Sequence, residues 1–124
     1  MSGLHKVLII DDEQDILDVL ARFFSRKNKF ETVICSNPIQ AVELVKNGNF
    51  SLVLSDIMMP EMNGIEVLKA IKASRPSTHV VMMTAFSTLD RILECEKLGA
   101  KDYVTKPFIS LKDVESKILD ILGL

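Results

Sequence analysis

With 124 residues, the chain has the length of one ordinary domain, and positions 1–124 are read as a single unit. Hydrophobic residues make up 48% and charged residues 26%, enough apolar material for one packed core and too balanced a surface for disorder. The formal net charge of −2, with no basic stripe in any segment, argues against nucleic acid as the partner.

The chain alternates short apolar runs with helical patterns. The run 7–10 (VLII) reads as a first strand, and Ile16, Leu17, Leu20, Phe23 and Phe24 then recur at helical spacing. Residues 32–34 read as a second strand. Asn37 and Pro38 open a second helix, with Asn as N-cap, Pro at the first position and Gln40 placed to reach back. Ala41, Val42, Leu44 and Val45 form its apolar face, and Gly48 suits a left-handed C-terminal position. Residues 52–54 are a third strand. Ile65, Val67, Leu68 and Ile71 mark a third helix that ends near Arg75-Pro76. Residues 80–83 are a fourth strand. Leu89, Ile92, Leu93 and Leu98 mark a fourth helix closed by Gly99, and residues 103–105 a short fifth strand. Ser110 and Asp113 have the form of a capping box before a last helix lined by Leu111, Val114, Ile118, Ile121 and Leu122.

Five strands alternating with five helices predict an α/β fold with a parallel sheet, and solid apolar strands predict helices on both faces. The longest apolar runs, 7–10 and 80–83, are far too short to cross a bilayer. The first residues lack a signal-peptide pattern, so the expected location is the cytoplasm. Cys35 and Cys95 lack metal-ligand spacing and are expected reduced in the core.

In such sheets the functional groups stand beyond the carboxyl ends of the strands. Asp11, Asp12 and Glu13 follow the first strand, Asp56 the third, Thr84 the fourth and Lys106 the fifth. Asp11 to Glu13 alone would also suit a first helical turn. The whole set at one edge points to chemistry. Carboxylates in one crevice repel unless a cation is present, and Mg²⁺ is suited by one or two carboxylates plus phosphate and water. An aspartate can act as nucleophile and form an acyl phosphate, with a lysine and a hydroxyl holding the remaining oxygens.

At these residues the sequence resembles a response-regulator receiver domain of two-component signalling. Four stretches carry the likeness: 8–13 (LIIDDE), 55–64 (SDIMMPEMNG), 83–85 (MTA) and 106–108 (KPF), in order and at matching distances. The resemblance implies a flavodoxin-like doubly wound fold with strand order 2-1-3-4-5. It implies that Asp56 accepts a phosphoryl group from a sensor histidine kinase or a phosphotransfer protein, with Mg²⁺ (or Mn²⁺) as cofactor. Asp12 then matches the direct metal ligand, Asp11 the acid acting through water, and the Met58 backbone carbonyl the remaining protein ligand. Thr84 and Lys106 match the groups that contact the phosphoryl oxygens, and Tyr103 the switch aromatic three residues before the lysine. A cis Lys106-Pro107 bond and pairing of two copies through the fourth helix, fifth strand and fifth helix also follow from the family pattern. A partner-facing surface on the first helix would include Asp15, Asp18, Arg22 and Arg26.

Met58 and Phe86, two residues after Asp56 and Thr84, are expected to flank the phosphoryl group. Both are apolar, which disfavours a hydrolytic water and predicts slow self-dephosphorylation. An aspartyl-phosphate enzyme would need an acid at position 58, and a nucleotide-binding module a glycine-rich loop; neither is present. The remaining alternative is an unphosphorylated docking module of the same fold, which the intact acid set disfavours. The expectation is therefore a signalling phosphoacceptor and not an enzyme with a separate substrate.

Overall fold

The apolar runs become the strands of one parallel sheet, in a computed structural model that describes residues 5–26, 29–85, 90–108 and 110–124. In chain order the elements are β1 (His5–Ile10), α1 (Gln14–Ser25), β2 (Phe30–Cys35), α2 (Pro38–Asn47), β3 (Leu52–Asp56), α3 (Gly64–Ser74), β4 (His79–Ala85), α4 (Ile92–Lys97), β5 (Asp102–Lys106) and α5 (Leu111–Leu122). The strand order is β2-β1-β3-β4-β5, as expected. Every strand runs further than its apolar run, because the parallel ladder continues through polar residues: Asp56 pairs with Met83, Thr84 with Thr105 and Ala85 with Lys106. The functional residues of β3, β4 and β5 are thus the ends of strands rather than the loops after them.

Side chains alternate along each strand and divide the core in two. Leu8, Ile10, Val53, Val80 and Met82 face α2, α3 and α4, which contribute Val42, Leu68, Ile71 and Ile92. Val7, Ile9, Leu52, Leu54, Val81 and Val104 face α1 and α5, which contribute Leu20, Phe24, Val114 and Ile118. Both cysteines are free and buried. Among the described residues no helix is long and apolar enough to cross a membrane.

The helix ends largely follow their sequence signals. Asn37 Oδ1 accepts from the amides of Ile39 and Gln40, and Ser110 Oγ from that of Asp113. Gly99 is left-handed, with φ of 105°. Three readings need correction. Gly48 is extended (φ −125°, ψ 170°) rather than left-handed; a Cβ there would meet the Phe50 ring at 3.0 Å and the Leu44 carbonyl at 2.9 Å, so close packing and not backbone hand accounts for the glycine. Leu44 is 40% exposed and does not join the buried face of α2. Leu93 is 67% exposed, because the short α4 turns Ile92 and Cys95 inward instead. Leu89 lies outside the described residues.

One close contact ties the fold to the site. Gly64, the first residue of α3, donates its N–H to the Ile57 carbonyl at 2.7 Å, and a Cβ on it would lie 2.2 Å from the carbonyl oxygen of Asp56. Only a residue without a side chain lets α3 start against the end of β3. Gly64→Ala is expected to displace this backbone and to cost on the order of 2 kcal/mol, as overpacking does; urea unfolding of both proteins measures it, and an unchanged midpoint would refute the close-approach argument.

Candidate functional site

The carboxyl ends of β1, β3, β4 and β5 converge. Asp11 prolongs β1 by one more bond, its N–H donating to the Cys35 carbonyl at 3.3 Å, and its side chain is fully buried. One carboxylate oxygen of Asp11 accepts from the Glu13 N–H at 2.9 Å, which turns the chain into α1 and leaves Asp12 exposed. Asp56 ends β3 and is 5% exposed. Thr84 is buried on β4, with its hydroxyl donating to the Ala85 carbonyl at 3.1 Å. From the end of β5, Lys106 sends its ammonium among the acids: 2.9 Å from Asp11 Oδ2, 3.5 Å from Asp56 Oδ1 and 3.6 Å from Glu13 Oε1. The peptide bond that follows, Lys106-Pro107, is cis, as expected.

The partners are shared unevenly. Burial pushes the Asp11 carboxyl up, although the Lys106 hydrogen bond and the Glu13 N–H pull against it. Burial and then the charge of Asp11 push Asp56 up to about 6, with Lys106 only partly offsetting them. For Lys106 itself, burial pulls downward, but the hydrogen bond to Asp11 and the charges of Asp56, Asp11 and Glu13 outweigh it and leave the ammonium harder to deprotonate. Oxygens of Asp11, Asp12 and Asp56 all lie within 4.8 Å of one another. An all-oxygen set of this kind, crowded and short of positive charge, fits a hard divalent cation.

Comparison with known proteins shows the family and the fold. A family model described as the response regulator receiver domain matches residues 7–118. The chain belongs to this receiver-domain family. It is 36% identical over 119 residues to sporulation initiation phosphotransferase F of Bacillus subtilis (strain 168), covering 94% of this chain and 95% of that protein. It is 37% identical over 108 residues to regulatory protein AtoC of Escherichia coli (strain K12), covering 87% of this chain and 23% of that protein. It is 42% identical over 111 residues to transcriptional regulatory protein ZraR of Klebsiella oxytoca, covering 86% of this chain and 24% of that one. The receiver domain therefore spans about a quarter of the last two relatives. Among solved structures, a CheY-like response regulator receiver domain protein from Methanospirillum hungatei JF-1 superposes with a TM-score of 0.90 at 29% identity, over 97% of this chain and 94% of that one.

In this receiver domain Asp11, Asp12, Asp56 and Lys106 come together as read from the sequence, and Thr84 stands on the neighbouring strand end. Met58, two residues after Asp56, is 52% exposed. Phe86 lies outside the described residues. Tyr103 is half-buried against the core side that α4 covers. Glu13, one of the acids expected after the first strand, joins the partners of Lys106, although at 62% side-chain exposure water weakens that pair. Sequence reasoning missed Gly64: its place in the 55–64 stretch was visible, but its contact with the Asp56 carbonyl was not.

A carboxyl whose pKa is higher folded than unfolded holds its proton more firmly in the fold. That contribution is present below about pH 4 and is lost as the pH rises through about 6. Without divalent cations, stability should thus decline across this range, and Asp56→Asn should abolish that part of the decline. Urea titrations in chelator at pH 5 and pH 8 should show the stability of Asp56→Asn relative to the unsubstituted protein growing by about 1 kcal/mol. A difference that does not change with pH would mean Asp56 ionises normally.

Proposed function

We propose that this receiver domain takes a phosphoryl group on Asp56 from a phosphohistidine of a sensor histidine kinase or phosphotransfer protein and relays it through Thr84 and Tyr103. The observation that carries the reading is the unequal sharing of Lys106. Asp11 takes its short hydrogen bond, whereas Asp56, 5% exposed and pushed up to about 6, has among the described residues the longer ion pair. Asp56 is the buried acid with the most to gain from a new partner.

In the proposed step a carboxylate oxygen of Asp56 attacks phosphorus, the new O–P bond forming as the P–N bond to imidazole breaks and the imidazole takes up a proton as it leaves. Asp12, Asp56 and the Met58 backbone carbonyl would hold Mg²⁺ (or Mn²⁺), with Asp11 acting through water. When bound, the cation offsets the repulsion between the acids and the incoming phosphoryl group. Lys106, already within reach of Asp56, pairs with the acyl phosphate, and the Thr84 hydroxyl turns from the Ala85 carbonyl toward a phosphoryl oxygen. Tyr103 lies on β5 opposite Met82 of β4, so movement at Thr84 has a short route to the ring. The output is a change of surface at α4, β5 and α5, read by a partner, by an attached output domain or by a second copy of the chain. The domain assists its own phosphorylation and dephosphorylation without turning over a separate substrate. The location proposed with this function is the cytoplasm.

Intact-mass spectrometry after incubation with acetyl phosphate tests the chemistry. One added phosphoryl group that requires Mg²⁺ and is lost in Asp56→Asn is expected. No adduct under any condition would favour the docking-module reading, and an adduct that survives Asp56→Asn would mean another residue accepts the group. The decay of the adduct tests the side chains beside it. The Met58 thioether is a weak acceptor and positions no hydrolytic water, so the phosphoryl group should persist for many minutes in the isolated domain, and loss within seconds would overturn that expectation.

A further inference from the structure

At the open edge of the sheet, one lysine holds Tyr103 from the opposite face. Successive residues of β5 point to opposite sides, with Tyr103 packed on the side that α2, α3 and α4 cover and Val104 on the side of α1 and α5. Lys117 belongs to α5, yet its ammonium comes round the edge strand. It donates to the Tyr103 carbonyl at 2.6 Å, lies 3.3 Å from Asp102 Oδ1 and stands 5.2 Å from the centre of the Tyr103 ring. The same Asp102 oxygen accepts the Tyr103 N–H at 2.7 Å. The amide, carbonyl and ring of Tyr103 are thus tied, directly or through Asp102, to one side chain. Space remains beside this clasp: Tyr103, Phe108, Val114 and Lys117 border a cleft of about 410 Å³ between β5 and α5. A rearrangement there would not have to displace a packed core.

We propose that Lys117 is the positioning residue of the Tyr103 switch, strapping β5 to α5 and holding the ring in the conformer in which Lys106 rests on Asp11. The inference builds on the switch reading above. Lys106 and Tyr103 share the five-residue strand β5, so a clasp on one end restrains the other. If phosphorylation favours a different ring position, linkage requires that whatever holds the present one opposes phosphorylation. Lys117 then tunes how readily Asp56 is modified from two strands away, without touching it. Arginine at 117 keeps the charge and the donors, whereas methionine keeps only the length.

Tyr103 is the only tyrosine of the chain, so incorporated 3-fluorotyrosine gives a single ¹⁹F resonance that reports this ring alone. The test compares the unsubstituted protein, Lys117→Met and Lys117→Arg, each with acetyl phosphate and Mg²⁺, following the resonance and the initial rate of adduct formation by mass. The resonance of the unsubstituted protein is expected to move on phosphorylation. Lys117→Met should be phosphorylated about three-fold faster or more, as expected when the competent conformer is more populated, and its resonance should move less. Lys117→Arg should restore both readouts. A Lys117→Met rate equal to that of the unsubstituted protein, whose resonance does move, would overturn the role of Lys117 and leave the switch standing. An adduct that forms while the unsubstituted protein's resonance stays fixed would overturn the Tyr103 switch, and the role of Lys117 with it.

Discussion

The site depends on one ammonium placed among more acids than it can satisfy. Removing a carboxylate from water is expensive unless a partner replaces the lost hydration. Asp11, fully buried, has the Glu13 N–H on one oxygen and Lys106 on the other. Asp56, nearly as buried, has what remains of Lys106 at 3.5 Å. A symmetric arrangement would have made both acids structural. The unequal one makes Asp11 an anchor for Lys106 and leaves Asp56 short of positive charge, which is the condition under which a cation and a phosphoryl group are both welcome.

The scaffold is arranged to keep that imbalance from relaxing. β3 lies between β1 and β4; its last residue, Asp56, pairs with Met83 of β4, and Ile57 continues the hold by donating its N–H to the Met83 carbonyl at 3.2 Å. The loop that follows is fastened near its α3 end. Asn37, which caps α2, also donates from its amide nitrogen to Glu61 at 3.2 Å, and Asn63 caps α3 through the Glu66 N–H at 3.0 Å. Gly64 then lets the α3 backbone close onto Asp56. The backbone that carries Asp56 is therefore held at the sheet edge beside Asp11 and Lys106.

Much of this was legible in the sequence, for reasons that differ by element. The strands announced themselves because residues buried on both faces leave no room for polar ones, and the caps at Asn37 and Ser110 because a side chain bonding its own helix needs only local geometry. The site could be listed because a parallel sheet collects its strand ends at one edge. What failed, or was missed, depended on distant neighbours. The glycine at 48 was read as left-handed when the Phe50 ring explains it, and Leu44 was put in the apolar face of α2 and Leu93 in the apolar pattern of α4, although these helices present other residues to the sheet. The choice of Asp11 over Asp56 as the close partner of Lys106 lies in fractions of an ångström, which no residue pattern encodes.

Fold and acid set together still leave the fate of an acyl phosphate undecided. The same strand ends would serve a hydrolase if a side chain beside Asp56 could take a proton from water. Here the residue two positions on is Met58, half in solvent and offering only a weakly accepting sulfur. Its backbone carbonyl and its side chain therefore bear on different properties. In the proposed function the carbonyl, which any residue type offers, would bear on holding the cation, while the side chain would bear on how long the modification lasts. On that proposal, the lifetime of the modification would be set at a position that neither the sheet nor the core constrains, apart from the acid that carries it.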